Sequence, residues 1–257
     1  LKDIITVFVD KDTRVLSYQP SYTQVNTFIT TNTDKYIKAN ILDPLGEHVY
    51  NFNLCNDADV VYLVNPNNPT GKLLAVDKIE ELVKSHPDVL FIIDEAYYEF
   101  AKQSSCHLVI SHKNLIVTRT FSKAFGLASI RLGYCMGHPD TLSHLRKIRN
   151  GKAVNALAQL CGIAALDDLD YLDSRIDEMN DAKKFFVDNL PHQYYPVDSY
   201  TNFVLLKTPN SKEVLDKMKE NKILIRDRSS FTNLEDCVRI TIGSKKQIIR
   251  VLNVINL

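Results

Sequence analysis

Residues 59–100 read DVVYLVNPNNPTGKLLAVDKIEELVKSHPDVLFIIDEAYYEF. The segment holds two nearly unbroken apolar runs, 59–64 and 89–94, and between them a helical stretch at 75–85 whose apolar face is Ile79, Leu82 and Val83. A strand that is apolar on both faces leaves no side for water and belongs in a sheet covered above and below. Two such strands joined through a helix make a parallel βαβ unit. The same texture extends outward. Short β-rich runs occur at 14–18, 114–120 and 132–136, and Leu1, Ile4, Ile5, Phe8 and Val9 follow the i, i+3, i+4, i+7 spacing of an amphipathic helix. The expectation is an α/β fold built on a mainly parallel sheet.

Beyond Pro139 the texture becomes helical from about 141 to 189, rich in Leu, Ala, Asp and Lys. Strands are then expected at 203–207, 222–226 and 237–242, with helices at 211–219 and 244–255. This pattern suggests a large domain over 1–145, a helical connector over 146–190 and a smaller C-terminal α+β domain over 191–257. The chain's 257 residues suffice for a full apolar core without staples, and its 31 Lys plus Arg balance 31 Asp plus Glu. That balance argues against a dedicated nucleic-acid binder. The five cysteines are scattered, with no CxxC pair, and the histidines show no HExxH, so no metal site is expected. No apolar run approaches the ~20 residues a membrane helix needs. A cytoplasmic protein is expected.

In open α/β sheets ligands bind at the carboxyl ends of the strands, which makes the strand exits the place to look for chemistry. The first exit is Asn65-Pro66-Asn67-Asn68-Pro69-Thr70-Gly71, which on its own reads as a turn. The second is Asp94-Glu95-Ala96-Tyr97, where the acid reads equally as a helix cap. The third, Thr118-Arg119-Thr120-Phe121-Ser122-Lys123-Ala124-Phe125-Gly126, sets a lysine between aromatics, with Arg131 eight residues on. A lysine in partly apolar surroundings near other cations has its ammonium form disfavoured and becomes a nucleophile toward aldehydes.

NPNNPTG, DEAYYEF and TRTFSKAFGLASIRLGY, in that order and each after a strand, resemble the fold-type I pyridoxal 5'-phosphate (PLP) aminotransferases of class I/II, and within them the histidinol-phosphate aminotransferase group. The resemblance implies a PLP-binding large domain, a smaller C-terminal domain and a homodimer acting on small amino and keto acids, with no nucleic acid or membrane partner. It casts Lys123 as the Schiff-base lysine and proton carrier, and Asp94 as the partner of the pyridine nitrogen. Asn68 and Tyr97 fall at the positions that hold the ring oxygen, Tyr22 at the aromatic that stacks on the ring, and Ser122 and Arg131 at the phosphate. Arg239, in VRITIG, matches the arginine that receives the substrate's anionic end, with Arg226 as companion. Ser129 stands where the family commonly has glycine, a change expected to narrow the local packing. The implied reaction moves an amino group from a donor such as glutamate to a small, possibly phosphorylated keto or aldehyde acceptor. Two alternatives share these residues: a PLP decarboxylase of a phosphorylated amino acid, and an inactive remnant. The family's glycine- and serine-containing phosphate loop would fall immediately before Leu1, so the chain is expected to lack its N-terminal part.

Overall fold

The computed structural model describes residues 1–43, 47–148 and 150–256. The large sheet comprises β1 (Val15–Gln19), β2 (Tyr36–Asn40), β3 (Val60–Val64), β4 (Leu90–Asp94), β5 (Leu115–Thr120) and β6 (Gly133–Gly137). Its order is β2-β1-β3-β4-β5-β6, parallel throughout except that β6 runs antiparallel to β5. The helices of this part are α1 (Lys2–Phe8), α2 (Thr23–Thr30), α3 (Val76–Ser85), α4 (Tyr98–Ala101) and α5 (Pro139–Ile148).

Alternate residues of each central strand enter two separate cores. Leu16, Val61, Leu63, Phe91, Ile93, Leu115 and Val117 pack with Ile79, Leu82 and Val83 of α3. Val15, Val60, Tyr62, Val64, Ile92 and Ile116 pack with Ile4 and Ile5 of α1 and Val25 and Ile29 of α2. Both faces are thus covered, which is why these strands tolerate no polar alternation. The chain leaves β1 for β2 on one side and returns to β3 on the other, placing the sheet's switch point between the exits of β1 and β3.

The helical region expected over 141–189 is divided in three. After α5 come α6 (Ala156–Leu166) and α7 (Leu169–Asp188), each opened by a side-chain cap, Asn155 on the Ala158 N–H and Asp168 on the Tyr171 N–H. A second sheet follows, antiparallel and ordered β7-β8-β10-β9, from β7 (Tyr195–Pro196), β8 (Phe203–Lys207), β9 (Arg226–Asp227) and β10 (Cys237–Thr241), with α8 (Ser211–Glu220) and α9 (Lys245–Ile255). Val204, Leu206, Val238 and Ile240 bury one face against α7, α8 and α9. From the other face Leu205 and Cys237 join the core of the large sheet. The strand expected at 222–226 is displaced to Arg226–Asp227. Lys222 takes a left-handed conformation (φ 59°), and the Ile223 N–H bonds back to Met218 O, so the chain is still leaving α8 at 222–223. Among the described residues no helix is long and apolar enough to cross a membrane.

Candidate active site

The exits of β1, β3, β4 and β5 line the carboxyl edge of the large sheet, and the small sheet leans over them. Asp94, the last residue of β4, is almost wholly buried. Its Oδ2 accepts from the Tyr62 hydroxyl at 2.7 Å and its Oδ1 from the Thr118 hydroxyl at 3.2 Å. Burial pushes the Asp94 carboxyl up, and the hydrogen bond from Tyr62 opposes that shift. An acid held this way, with donors on both oxygens, is prepared to pair with a cationic N–H. Tyr62 lies within an apolar run, and nothing in the sequence marked its hydroxyl as part of the site.

Tyr97, three residues on, is buried edge-on against Phe203 of β8, with ring centroids 5.3 Å apart. Burial raises its phenol to about 12, with Arg239 acting in the opposite direction, so it remains a donor near neutral pH. The Lys123 ammonium lies 5.5 Å from the centroid of the Tyr97 ring. The loop carrying Lys123 is pinned by the Phe121–Phe125 ring contact at 4.7 Å, the Leu127 N–H on Phe121 O at 2.9 Å and the left-handed Gly126 (φ 69°). Although the lysine surface is open, local burial depresses its ammonium, Arg239 and Arg131 add to this, and Asp94 counters it. A neutral amine is therefore accessible nearer physiological pH than for an ordinary lysine.

The exit of β3 is a clasped loop as well as a turn. Asn65 exchanges two hydrogen bonds with the Leu74 main chain at 2.9 and 2.8 Å. Asn67 Nδ2 donates to Pro20 O at 3.1 Å and to the Thr70 hydroxyl at 3.0 Å, stitching the two sides of the switch point together. His48 adds to this network, with Nε2 2.8 Å from the Thr70 hydroxyl and Nδ1 3.2 Å from the Tyr50 hydroxyl. Burial and Lys72 push its imidazole down to about 4, so it is neutral. A lone histidine far upstream carries no sequence signal for this role. Tyr22, at the start of α2, is 39% exposed and close enough to influence the phenols of Tyr62 and Tyr97.

Asn68 Oδ1 accepts from the Arg239 guanidinium at 2.7 Å, across 171 residues of chain. Arg239 packs 4.6 Å over the Phe203 ring, and its Nε is buried without a partner among the described residues. Arg226 stands opposite it on β9 and is exposed. The structure thus gathers Asn68, Asp94, Tyr97, Lys123 and Arg239 at one place. Ser122 and Arg131 lie on the lysine loop; the Arg131 Nη1 donates to Ala128 O at 2.8 Å within it. Ser129 is exposed, so its side chain does not narrow the local packing.

A group with a cationic ring nitrogen, a ring hydroxyl beside an aldehyde, and a phosphate fits this donor set: a buried acid, amide and phenol donors, a depressed lysine, and a hydroxyl and guanidinium on the lysine loop. The Ser21 hydroxyl, buried without a partner among the described residues, is a further donor at the β1 exit. Comparisons with known proteins agree. A dihydroxyacetone phosphate transaminase of Campylobacter jejuni is 38% identical over 95% of this chain, which spans 68% of that protein. A histidinol-phosphate aminotransferase of Methanococcoides burtonii is 37% identical over 76% of this chain and 54% of its own length, so the chain spans little more than half of that relative. The solved histidinol-phosphate aminotransferase of Sinorhizobium meliloti in complex with pyridoxal 5'-phosphate superposes with a TM-score of 0.85 at 25% identity, covering 99% of this chain and 72% of that one. The fold is that of the fold-type I PLP-dependent transferases. Matched by the family description over residues 2–255, the chain belongs to aminotransferase class I and II, the PLP-dependent transaminases.

Proposed function

We propose that this chain transfers an amino group from glutamate to a small phosphorylated keto or aldehyde acceptor. The observation that carries this reading is the Arg239 guanidinium, bonded to Asn68, near enough to depress the Lys123 ammonium, and with no carboxylate ion-paired to it among the described residues. The names of the relatives, a dihydroxyacetone phosphate transaminase and histidinol-phosphate aminotransferases, support the phosphorylated class. PLP, when bound, supplies the carbonyl that captures the amine and the electron sink that weakens the Cα bonds. Asp94 would keep the ring nitrogen protonated, Asn68 and Tyr97 would donate to the ring oxygen, and Tyr22 would cover one ring face. Ser122 and Arg131 would hold the cofactor phosphate. Lys123 would bind the carbonyl carbon and, once displaced by substrate, would move the proton at substrate Cα. Arg239 and Arg226 would receive the substrate's anion.

We read 1–145, 146–190 and 191–257 as large domain, connector and small domain of a cytoplasmic homodimer. On α6, Leu157, Leu160, Ile163 and Leu166 are all more than half exposed, while Ala158 and Gly162 face inward. An apolar row of this kind on a helix surface supports a subunit contact there. The functional test is a single turnover of the PLP-loaded chain with glutamate. Stoichiometric 2-oxoglutarate without CO2 is expected, followed by amination of dihydroxyacetone phosphate in preference to dihydroxyacetone. Release of CO2 would identify a decarboxylase instead.

A further inference from the structure

Arg228 plays no part in the chemistry assigned so far. The pairing of β9 with β10 sets Arg226 opposite Arg239, and the Arg228 N–H on Cys237 O, at 2.9 Å, continues the pairing two residues further along. Alternate residues on one strand and opposite residues on paired strands share a face. Arg226, Arg228 and Arg239 therefore stand on the face from which Leu205 packs toward the large sheet. Arg228 is half-buried. One Nη donates to Asp227 O at 2.8 Å, while its Nε, like that of Arg239, is buried and unpartnered among the described residues. Its charged neighbours are Arg239, Arg226, Asp227 and the Tyr97 phenol; the guanidinium is pushed down by burial first, then by the two arginines, against Asp227 and Tyr97. The Asp227 carboxylate is itself engaged by the Ser229 N–H at 2.8 Å. No ion pair neutralises any of the three arginines among the described residues.

Crowded like charges with unused buried donors are unfavourable until an anion arrives. A carboxylate has two oxygens and one charge, and a single guanidinium fork satisfies it. A phosphate monoester has three free oxygens and, near neutral pH, about two charges. We infer that Arg228 is a third anion ligand of the substrate site, which together with Arg226 and Arg239 makes that site prefer a phosphate dianion over a carboxylate. The inference rests on the reading of a phosphorylated acceptor given above and names the residue that enforces it.

The test is calorimetric binding of two unreactive probes, sn-glycerol 3-phosphate and glutarate, to the PLP-loaded chain and to Arg228→Gln. The variant is expected to weaken glycerol 3-phosphate by about 10- to 100-fold and glutarate by less than about threefold. In the unmodified chain the phosphate affinity should rise with pH through the second phosphate ionisation near ~6, and the rise should be shallower in the variant. Equal losses for both probes, or none, with the unmodified chain binding glycerol 3-phosphate, would overturn the role of Arg228 alone. Failure of the unmodified chain to bind glycerol 3-phosphate would overturn the phosphorylated-acceptor reading and this inference with it. If Arg228→Gln does not fold, Arg228→Lys keeps the charge and loses the fork. A selective loss of phosphate affinity there supports the assignment, and unselective or absent loss refutes it.

Discussion

Replacing Tyr62 with Phe removes one hydroxyl from a fully buried side chain and leaves its packing between α1, α2 and the sheet intact. The lost atom donates at 2.7 Å to Asp94 Oδ2, leaving the Thr118 hydroxyl, at 3.2 Å, as the side-chain donor to that carboxylate. A hydrogen bond to a charged group contributes about 1.5–3 kcal/mol, all of it to the ionised form of the carboxyl. Burial already holds the Asp94 carboxyl above its ordinary range, so the folded state binds its proton more tightly than the unfolded chain does. The stability linked to that proton is complete below the ordinary carboxylate pKa and is lost as pH rises through the folded value. Tyr62→Phe lifts the folded value further. Its cost to the cofactor-free protein should therefore be smallest below the ordinary carboxylate range, where Asp94 is protonated in both proteins, and grow toward about 1.5–3 kcal/mol as pH rises through the folded values. Urea denaturation of the two proteins from about pH 5 to about pH 8 measures this directly. A cost that does not rise with pH would refute the coupling of Tyr62 to Asp94.

Lys123→Ala should lower the transamination rate by at least ~10²–10⁴-fold, and mass spectrometry after borohydride reduction should find cofactor attached to the unmodified chain alone. Because Lys123 reacts as the neutral amine and its ammonium is depressed by burial and by Arg239 and Arg131, the rate of PLP capture should rise with pH through a value below the ordinary lysine range. Arg239→Gln, by removing one of those cations, should move that rise to higher pH in stopped-flow measurements. Gly71 has φ 79°, and a Cβ there would come within 2.8 Å of Ser199 Cβ, so Gly71→Ala should cost about 2 kcal/mol or more in a denaturation midpoint series. Leu160→Arg on α6 should convert a dimer to monomers in analytical ultracentrifugation while leaving the far-ultraviolet circular dichroism unchanged.

What the sequence determined by itself was local. Strands β3, β4 and β5 were legible because runs such as Val60–Val64 are apolar on both faces, and burial between helix layers is the environment that selects such runs. Asn68, Asp94, Tyr97 and Lys123 were legible as candidates because each sits at a strand exit, and the order of the three motifs resembles one family; taken singly, the first exit reads as a turn and the second equally as a helix cap. β2 was not legible: Tyr36–Asn40 lies at the sheet edge with mixed burial and carries no continuous apolar run. Nor was the antiparallel direction of β6, which depends on the β5–β6 pairing rather than on its own residues. The site's support lies further from the reach of pattern. Tyr62 reads as one more large residue in a buried strand until the register of β3 with β4 brings its hydroxyl to Asp94. Arg239 meets Asn68, and Arg228 comes near Tyr97, because the small sheet packs its Leu205 face onto the large one. Residue type and short spacing decide which groups are available, whereas contacts between residues far apart in the chain arise when apolar faces bury each other, and that packing was settled only in the tertiary structure.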